Sequence, residues 1–318
     1  MTLPTISIIC PVYNEEKNIP MFYERIMAVL AQYAGRYDYE LIFTNNASTD
    51  STQAMVLGLH EQNPQVQLIT LSRNFGYQCS VLSGLTFAKG DATIVIDVDC
   101  EDPPELIPQF IEKWELGYDV VYGIRKKRQE SEIVQWLRRV FYWLLRQMAD
   151  NDVILNMAEF ALITKQVRHE IINNKSTFPF LRTEVGYVGF KRVGIDYIRQ
   201  KRAYGKTHYN FIGMSAFAIG GILSSSTYLL RLAAFIGAGL LPLNLILLVV
   251  TWANGWIHAF PTLVTLDLMY LIFFMAVISV YLARIYKNGV GRPLFVVNWR
   301  NSTYHHPDYS LPNEGQLS

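Results

Sequence analysis

The sequence predicts an α/β protein. A Rossmann-like, mostly parallel sheet fills the front half, followed by interfacial helices and a two-helix transmembrane hairpin. Three observations predict it. Strand-like apolar runs alternate with helix-like segments through residues 6–125, and residues 232–266 carry no Asp, Glu, Lys or Arg. Between them "VIDVDCEDPPEL", residues 95–106, crowds Asp97, Asp99, Glu101 and Asp102 together directly after an apolar run.

The elements follow in order. "ISIICPVY" (6–13) reads as a buried strand and "EEKNIPMFYERIMAVLAQY" (15–33) as an amphipathic helix. "YELIFTNN" (39–46) is a second strand, "STDSTQAMVLGLHEQ" (48–62) its helix, and "VQLITLS" (66–72) a third strand. "QCSVLSGLTFAKG" (78–90) is a helix closed by Gly90, and "DATIVIDVD" (91–99) a fourth strand. "PPELIPQFIEKWELG" (103–117) is a helix with Pro in its first turn, with Asp102 as its N-cap, and "YDVVYGIR" (118–125) a fifth strand. Strands alternating with helices at this spacing argue for a parallel sheet covered on both faces. Ligands of such sheets gather outside the carboxyl ends of the strands, where Asn45–Asn46, Arg73–Asn74 and the acidic cluster converge.

In the back half, Leu232–Ala253 and Leu263–Ala283 each meet the roughly 20 apolar residues that a membrane span needs, with Asp267 near one interface. The turn between them has no Lys or Arg, whereas Lys201, Arg202, Lys206, Arg231, Arg284, Lys287 and Arg292 flank the pair. That asymmetry predicts a plasma- or inner-membrane protein with the front domain and both termini cytosolic. Residues 209–230 are also uncharged, but their Gly and Ser content favours an interfacial helix over a third span. Residues 133–148 form a second candidate surface helix. The expected division is therefore 1–208 for the α/β domain, 209–230 interfacial, 231–286 the hairpin and 287–318 a cytosolic tail.

Net charge is +1, so no nucleic-acid footprint appears at the level of the whole chain. The first 200 residues carry 20 basic and 24 acidic groups, against eight and three in the remainder. An acidic front and a basic back call for different partners. Cys10, Cys79 and Cys100 lack metal-ligand spacing and read as free thiols. The amino terminus enters a strand directly, with no signal-peptide pattern. Gly237 and Gly239 permit close helix packing, compatible with a homo-oligomer, though not at the spacing of the best-known dimer motif.

Acids this close repel one another and raise each other's pKa unless a positive group lies among them. Side chains alternate along a strand, so Asp97 and Asp99 are expected on one side, a hard-oxygen pair suited to Mg²⁺ or Mn²⁺. A solvated acidic turn is the alternative. "CPVYNEE", "NNASTDST", "LSRNFG", "DVDCEDPPELI" and "YGIRKKR" together resemble the GT-A glycosyltransferases of family 2, in particular the membrane-anchored polyprenyl-phosphate glycosyltransferases. The likeness covers nearly the whole chain.

The resemblance implies inverting transfer of a sugar from a nucleotide sugar, a UDP-sugar in the first place, to polyprenyl (undecaprenyl) phosphate. It implies nucleotide contacts from Pro11, Tyr13, Glu15, Asn46, Arg73, Asp97 and Val98, and a metal held by Asp97, Asp99 and Glu101. It puts Asp99 and Glu159 at the reacting centre and gives Arg125, Arg199, Arg202 and Lys206 to the acceptor phosphate. Against the family's pattern, Asn46 and Glu159 stand where Asp is usual, Ala161 replaces an Arg, and His208 replaces a Lys. A membrane glycosyltransferase with another lipid or glycan acceptor, or a catalytically silent scaffold, remains the alternative.

Overall fold

A computed structural model describes residues 3–126, 154, 157–174, 180–200, 226–255 and 260–304. The chain separates into two units: the hairpin belongs to the second, and residues from Pro293 onward rejoin the first. The expected helix at 133–148 and most of the expected interfacial helix at 209–230 lie outside the described residues; 228–230 open the first hairpin helix.

The first unit is a seven-stranded sheet in the order β3-β2-β1-β4-β6-β5-β7. Its strands are β1 Thr5–Val12, β2 Asp38–Asn45, β3 Val66–Thr70, β4 Ala92–Val95, β5 Val120–Lys126, β6 Met157–Thr164 and β7 Arg192–Ile198. β1 pairs in parallel with β2 and β4, β2 with β3, and β5 with β7, while β6 runs antiparallel between β4 and β5. The five expected strands are present, and β6 and β7 add to them.

Helices α1 Ile19–Leu30, α2 Thr52–Gln62 and α4 Ile107–Glu115 cover one face; α3 Tyr77–Phe87, α5 Lys165–Asn173 and α6 Leu181–Val188 cover the other. α1 forms because Ile19, Phe22, Ile26 and Val29 recur at helical spacing and bury on one side, with Pro20 in the first turn. α3 can lie close to the sheet because Gly84 has no Cβ; one added there would come within 2.4 Å of Ile9 Cγ2. Alternation along β6 sends Ala158, Phe160 and Leu162 to the first face and Met157, Ala161 and Ile163 to the second. Glu159 therefore faces the side on which α3 and α6 pack.

β4 is shorter than its expected span. The last bond to its neighbour is Ile96 N–H to Ile9 O at 3.0 Å, after which Asp99 Oδ1 captures the Glu101 N–H at 3.0 Å and the chain turns. A side-chain acceptor competing for backbone N–H groups ends the strand. Asp97 and Asp99 thus lie in the turn beyond β4, and strand alternation is not what brings them near each other.

The outer edge of β3 is closed by the chain's own tail. Asn298 N–H donates to Thr70 O (2.7 Å), Leu68 N–H to Thr303 Oγ1 (2.7 Å) and Thr70 N–H to Ser302 Oγ (2.9 Å). Phe87 of α3 packs against Phe295, Trp299 and Tyr304, and the Tyr304 hydroxyl donates to Glu40 at 3.0 Å. An open edge would template pairing with another chain.

The second unit contains α7 Tyr228–Ala253 and α8 Phe260–Val290, both long and apolar enough to cross a membrane. Gly237 admits the Tyr270 ring of the partner helix, whose hydroxyl donates to Ala233 O at 2.6 Å. Its small size therefore serves packing inside the hairpin. Asp267 accepts from Asn244 Nδ2 at 2.6 Å, so it meets a partner on the facing helix.

Thr303→Val removes the acceptor of the Leu68 amide. Hydrogen exchange of that amide, read by mass spectrometry or NMR, is expected to quicken about fivefold, the worth of one hydrogen bond of roughly 1 kcal/mol.

Candidate active site

The carboxyl ends of β1, β2 and β4 form one rim. Among the described residues the three non-glycine residues with positive φ all lie there: Asn14 (55°), Ala47 (58°) and Cys100 (57°). Left-handed backbone costs energy for residues with a Cβ and gathers at functional sites. The first two loops are laced together. Asn14 N–H donates to Ser48 Oγ (3.0 Å), Thr49 N–H to Asn14 Oδ1 (2.8 Å) and Glu15 N–H to Thr52 Oγ1 (2.9 Å). Pro11 is buried on β1, and Tyr13 and Glu15 are half-buried just beyond it.

Asn46, expected to meet a nucleotide base, is held by two partners within the protein. Its Nδ2 donates to Asn74 Oδ1 at 3.0 Å and its Oδ1 accepts the Phe75 N–H at 2.9 Å. Asn74 Oδ1 also takes the Gly76 N–H at 2.9 Å, which fixes the turn into α3. Arg73 projects from this turn, its guanidinium 3.9 Å from the centre of the Phe75 ring. The amide thus does what a carboxylate cannot, giving to one loop atom and receiving from another.

Each acid of the cluster has its own partner. The Tyr77 hydroxyl, at the start of α3, donates to Asp97 Oδ1 at 2.8 Å. Even so, burial and then the charges of Asp99 and Asp102 push the Asp97 carboxyl up to about 7. Burial and the Asp97 charge drive the Tyr77 phenol well above its ordinary value, so it stays a donor. Asp102 is not a helix cap: it is buried, accepting from Tyr197 OH (2.5 Å) on one oxygen and Arg125 Nη2 (2.8 Å) on the other. Burial works against the Arg125 charge, but Asp102 and Tyr197 more than reverse it and hold the guanidinium cationic. Glu101 is ion-paired with Arg199, whose Nε also lies 3.8 Å from Asp102 Oδ1. The Val98 side chain is in the hydrophobic core.

The antiparallel register Val95↔Ala161 carries Glu159 of β6 to the level of the acid turn. Glu159 is buried, and its charge contributes to raising both Asp97 and Tyr77. Arg182 of α6 reaches it, Nε to Oε1 at 3.0 Å. Arg202 and Lys206, expected at the acceptor phosphate, lie outside the described residues, as does His208.

Two carboxylates that repel each other, Asp97 half-buried and Asp99 buried, framed by cations and a tyrosine, suit a site that handles a cationic or phosphorylated ligand. The family model described as Glycosyl transferase family 2 matches residues 7–181. The chain belongs to that family. It is 35% identical over 300 residues to an uncharacterized glycosyltransferase, YkcC, of Bacillus subtilis (strain 168), with 92% of each chain covered. It is 30% identical over 303 residues to the prophage bactoprenol glucosyl transferase homolog of Escherichia coli (strain K12), covering 92% of this chain and 98% of that one. Among solved structures, glucosyl-3-phosphoglycerate synthase from Mycobacterium tuberculosis aligns at 18% identity and a TM-score of 0.49, over 70% of this chain and 80% of its own.

The glycosyltransferase therefore brings Asp97, Asp99, Glu101, Arg125, Glu159 and Arg199 of the expected set to one rim. Tyr77, Arg182 and Tyr197 join them unforeseen. The place of Tyr77 after Gly76 at a helix start carried a faint signal; Arg182 and Tyr197 carried none in their spacing. A divalent ion fits Asp97 and Asp99, hard-oxygen donors whose repulsion it would relieve. Glu101, expected as a further ligand, is paired with Arg199, and no group of three His, Cys, Asp or Glu side chains gathers among the described residues.

Two outcomes are expected. Asn46→Asp loses the donor to Asn74 and is expected to cost about 2 kcal/mol of stability, seen as a lowered denaturation midpoint. Asp97 titrates above its ordinary 3.8 in the folded chain, so the folded state holds that proton more tightly than the unfolded one. In EDTA, stability from this group is therefore full at low pH and is lost as pH rises towards 7, and Asp97→Asn should flatten that slope in a series of melting curves.

Proposed function

We propose that the enzyme transfers a sugar from a nucleotide sugar, with UDP-sugars first in line, to polyprenyl (undecaprenyl) phosphate at a membrane face, inverting the anomeric centre. The observation that carries the reading is the repelling Asp97–Asp99 pair beside Glu159, in a chain that also holds two membrane-length helices. The relatives named bactoprenol glucosyl transferases, at 28–30% identity over more than nine-tenths of this chain, support the acceptor class.

Asp97 and Asp99 would hold a divalent ion, Mg²⁺ or Mn²⁺. When bound, it supplies neutralisation of the charge that builds on the departing nucleoside diphosphate. The rim loops of β1 and β2 supply the nucleotide contacts. Glu159 faces the anomeric carbon, where a fixed carboxylate steadies developing positive charge. A phosphate monoester has a second pKa of about 6, so the acceptor arrives largely dianionic and needs no strong base. Arg199 receives it together with Arg202 and Lys206, whereas Arg125 is occupied with Asp102 and acts by keeping that end of the cluster neutral.

The tail supports a shared side. Residues 296–303 bond to the edge of β3 in the same unit as the acid site, which supports a chain that leaves and returns on one side of the bilayer. Two crossings, by α7 and α8, are consistent with that. This favours a front domain and tail that share the cytosolic side.

The test uses purified protein in detergent with Mn²⁺, a panel of nucleotide sugars and undecaprenyl phosphate. Lipid-linked sugar and free nucleotide are expected. Asp99→Asn should lower turnover at least 10²-fold, in line with the loss of an electrostatic clamp worth about 3 kcal/mol or more, while membrane insertion is unchanged. Full activity in that variant would refute the metal assignment, and turnover with diacylglycerol alone would refute the acceptor.

A further inference from the structure

Glu159 is a buried carboxylate with an uneven environment. Its Oε1 lies 3.0 Å from Arg182 Nε, and its Oε2 is buried without a hydrogen-bond partner. The Arg182 Nε–H is likewise turned out of hydrogen-bond alignment, so the contact is one of charge. A buried anionic oxygen with nothing to accept from is costly, and it persists where a ligand will complete it.

The cation comes from an unexpected element. Along β6 the next position on the Glu159 face is Ala161, fully buried in the apolar cluster with Leu181 and Val185. Those two residues dock the first turns of α6 on that face, and the docking projects Arg182, between them in sequence, towards Glu159. The Arg182 side chain keeps 28% exposure against 11% for Glu159. Its guanidinium carbon lies 5.6 Å from the centre of the Phe180 ring, which gives it a second support. The other described arginines of the acid cluster serve different acids: Arg125 serves Asp102, and Arg199 serves Glu101 and Asp102, while Arg73 packs on Phe75.

The geometry points to Arg182 as the positioning residue of the reaction: it pins one oxygen of Glu159 so that the other is presented to a hydroxyl of the transferred sugar. This deepens the proposed glycosyl transfer and rests on it. The two anions of the reaction, nucleoside diphosphate and lipid phosphate, are left to the other cations. An unpinned Glu159 would be repelled by Asp97 and would spread over several rotamers, so the loss should fall on the chemical step.

The experiment is a double-mutant cycle on the full chain in detergent, with the donor and acceptor that the wild type turns over. R182Q is expected to lower kcat 10²-fold or more, with the acceptor KM changed less than threefold, and R182K to recover at least tenfold. In an E159Q background R182Q should add less than a threefold further loss. Calorimetry supplies a readout apart from turnover: R182Q should weaken the nucleotide sugar about fivefold yet bind the bare nucleoside diphosphate as the wild type does. That last binding also verifies folding. If R182Q loses it, the cycle is run with R182K, whose smaller kcat loss must still vanish in E159Q. Losses that multiply with E159Q, or a raised acceptor KM at unchanged kcat, would overturn the assignment and hand Arg182 to the acceptor phosphate. A wild type silent with every donor condemns the proposed reaction, whereas a failure of this inference appears only in the variants.

Discussion

Four carboxylates within six residues, with a fifth brought to them by β6, set the terms for everything around the site. Each is accommodated differently, and the differences sort structure from chemistry. Asp102, the most buried, has both oxygens satisfied, by Tyr197 and Arg125, and is fixed in place. Glu101 is paired with an arginine that is 41% exposed at its side chain, a contact a ligand can exchange. Asp97 accepts from a tyrosine hydroxyl, yet burial and then the charges of Asp99 and Asp102 push its carboxyl up to about 7. Glu159 has charge on one oxygen and nothing on the other. Compensation is complete where the fold needs rigidity and incomplete where a substrate or ion is to arrive.

The backbone accommodates the same demand. Ending β4 at Val95 frees the acid turn from the ladder, and Cys100 takes a left-handed conformation within it. The strain is carried by neighbours that are themselves tied, through Asn14, Ser48 and Thr52 on one side and Asn46, Asn74 and Gly76 on the other. A rim whose loops bond to one another holds its shape before any ligand binds, which lowers the ordering cost of binding.

Much of this was legible in the sequence, for identifiable reasons. The first five strands and their helices were readable because period-2 and period-3.6 patterns are local, and α7 and α8 because a charge-free stretch of that length has few alternatives. β6 and β7 were missed: β6, buried between two antiparallel neighbours, shows only a short apolar run, and β7, at the sheet edge, is only partly buried. Asp97, Asp99 and Glu159 were found through motifs, but the roles of partners were not. Asp102 read as a cap because Pro103 and Pro104 follow it, and only the return of β7 beside it supplies Tyr197. The hydrogen bond of Asn46 to Asn74 was not legible, because local sequence does not reveal that the loop at Asn74 lies within reach. Contacts such as Arg182 with Glu159, fixed by helix docking 23 residues downstream, leave no periodic trace.

The tail that completes β3 is made after the hairpin. A ribosome adds residues 294–304 only once both apolar helices have been synthesised, so the sheet's outer edge stays uncapped throughout synthesis of the hairpin. Final closure of the first unit is thereby tied to completion of both helices. A copy truncated within the hairpin would keep an adhesive border exposed to quality control.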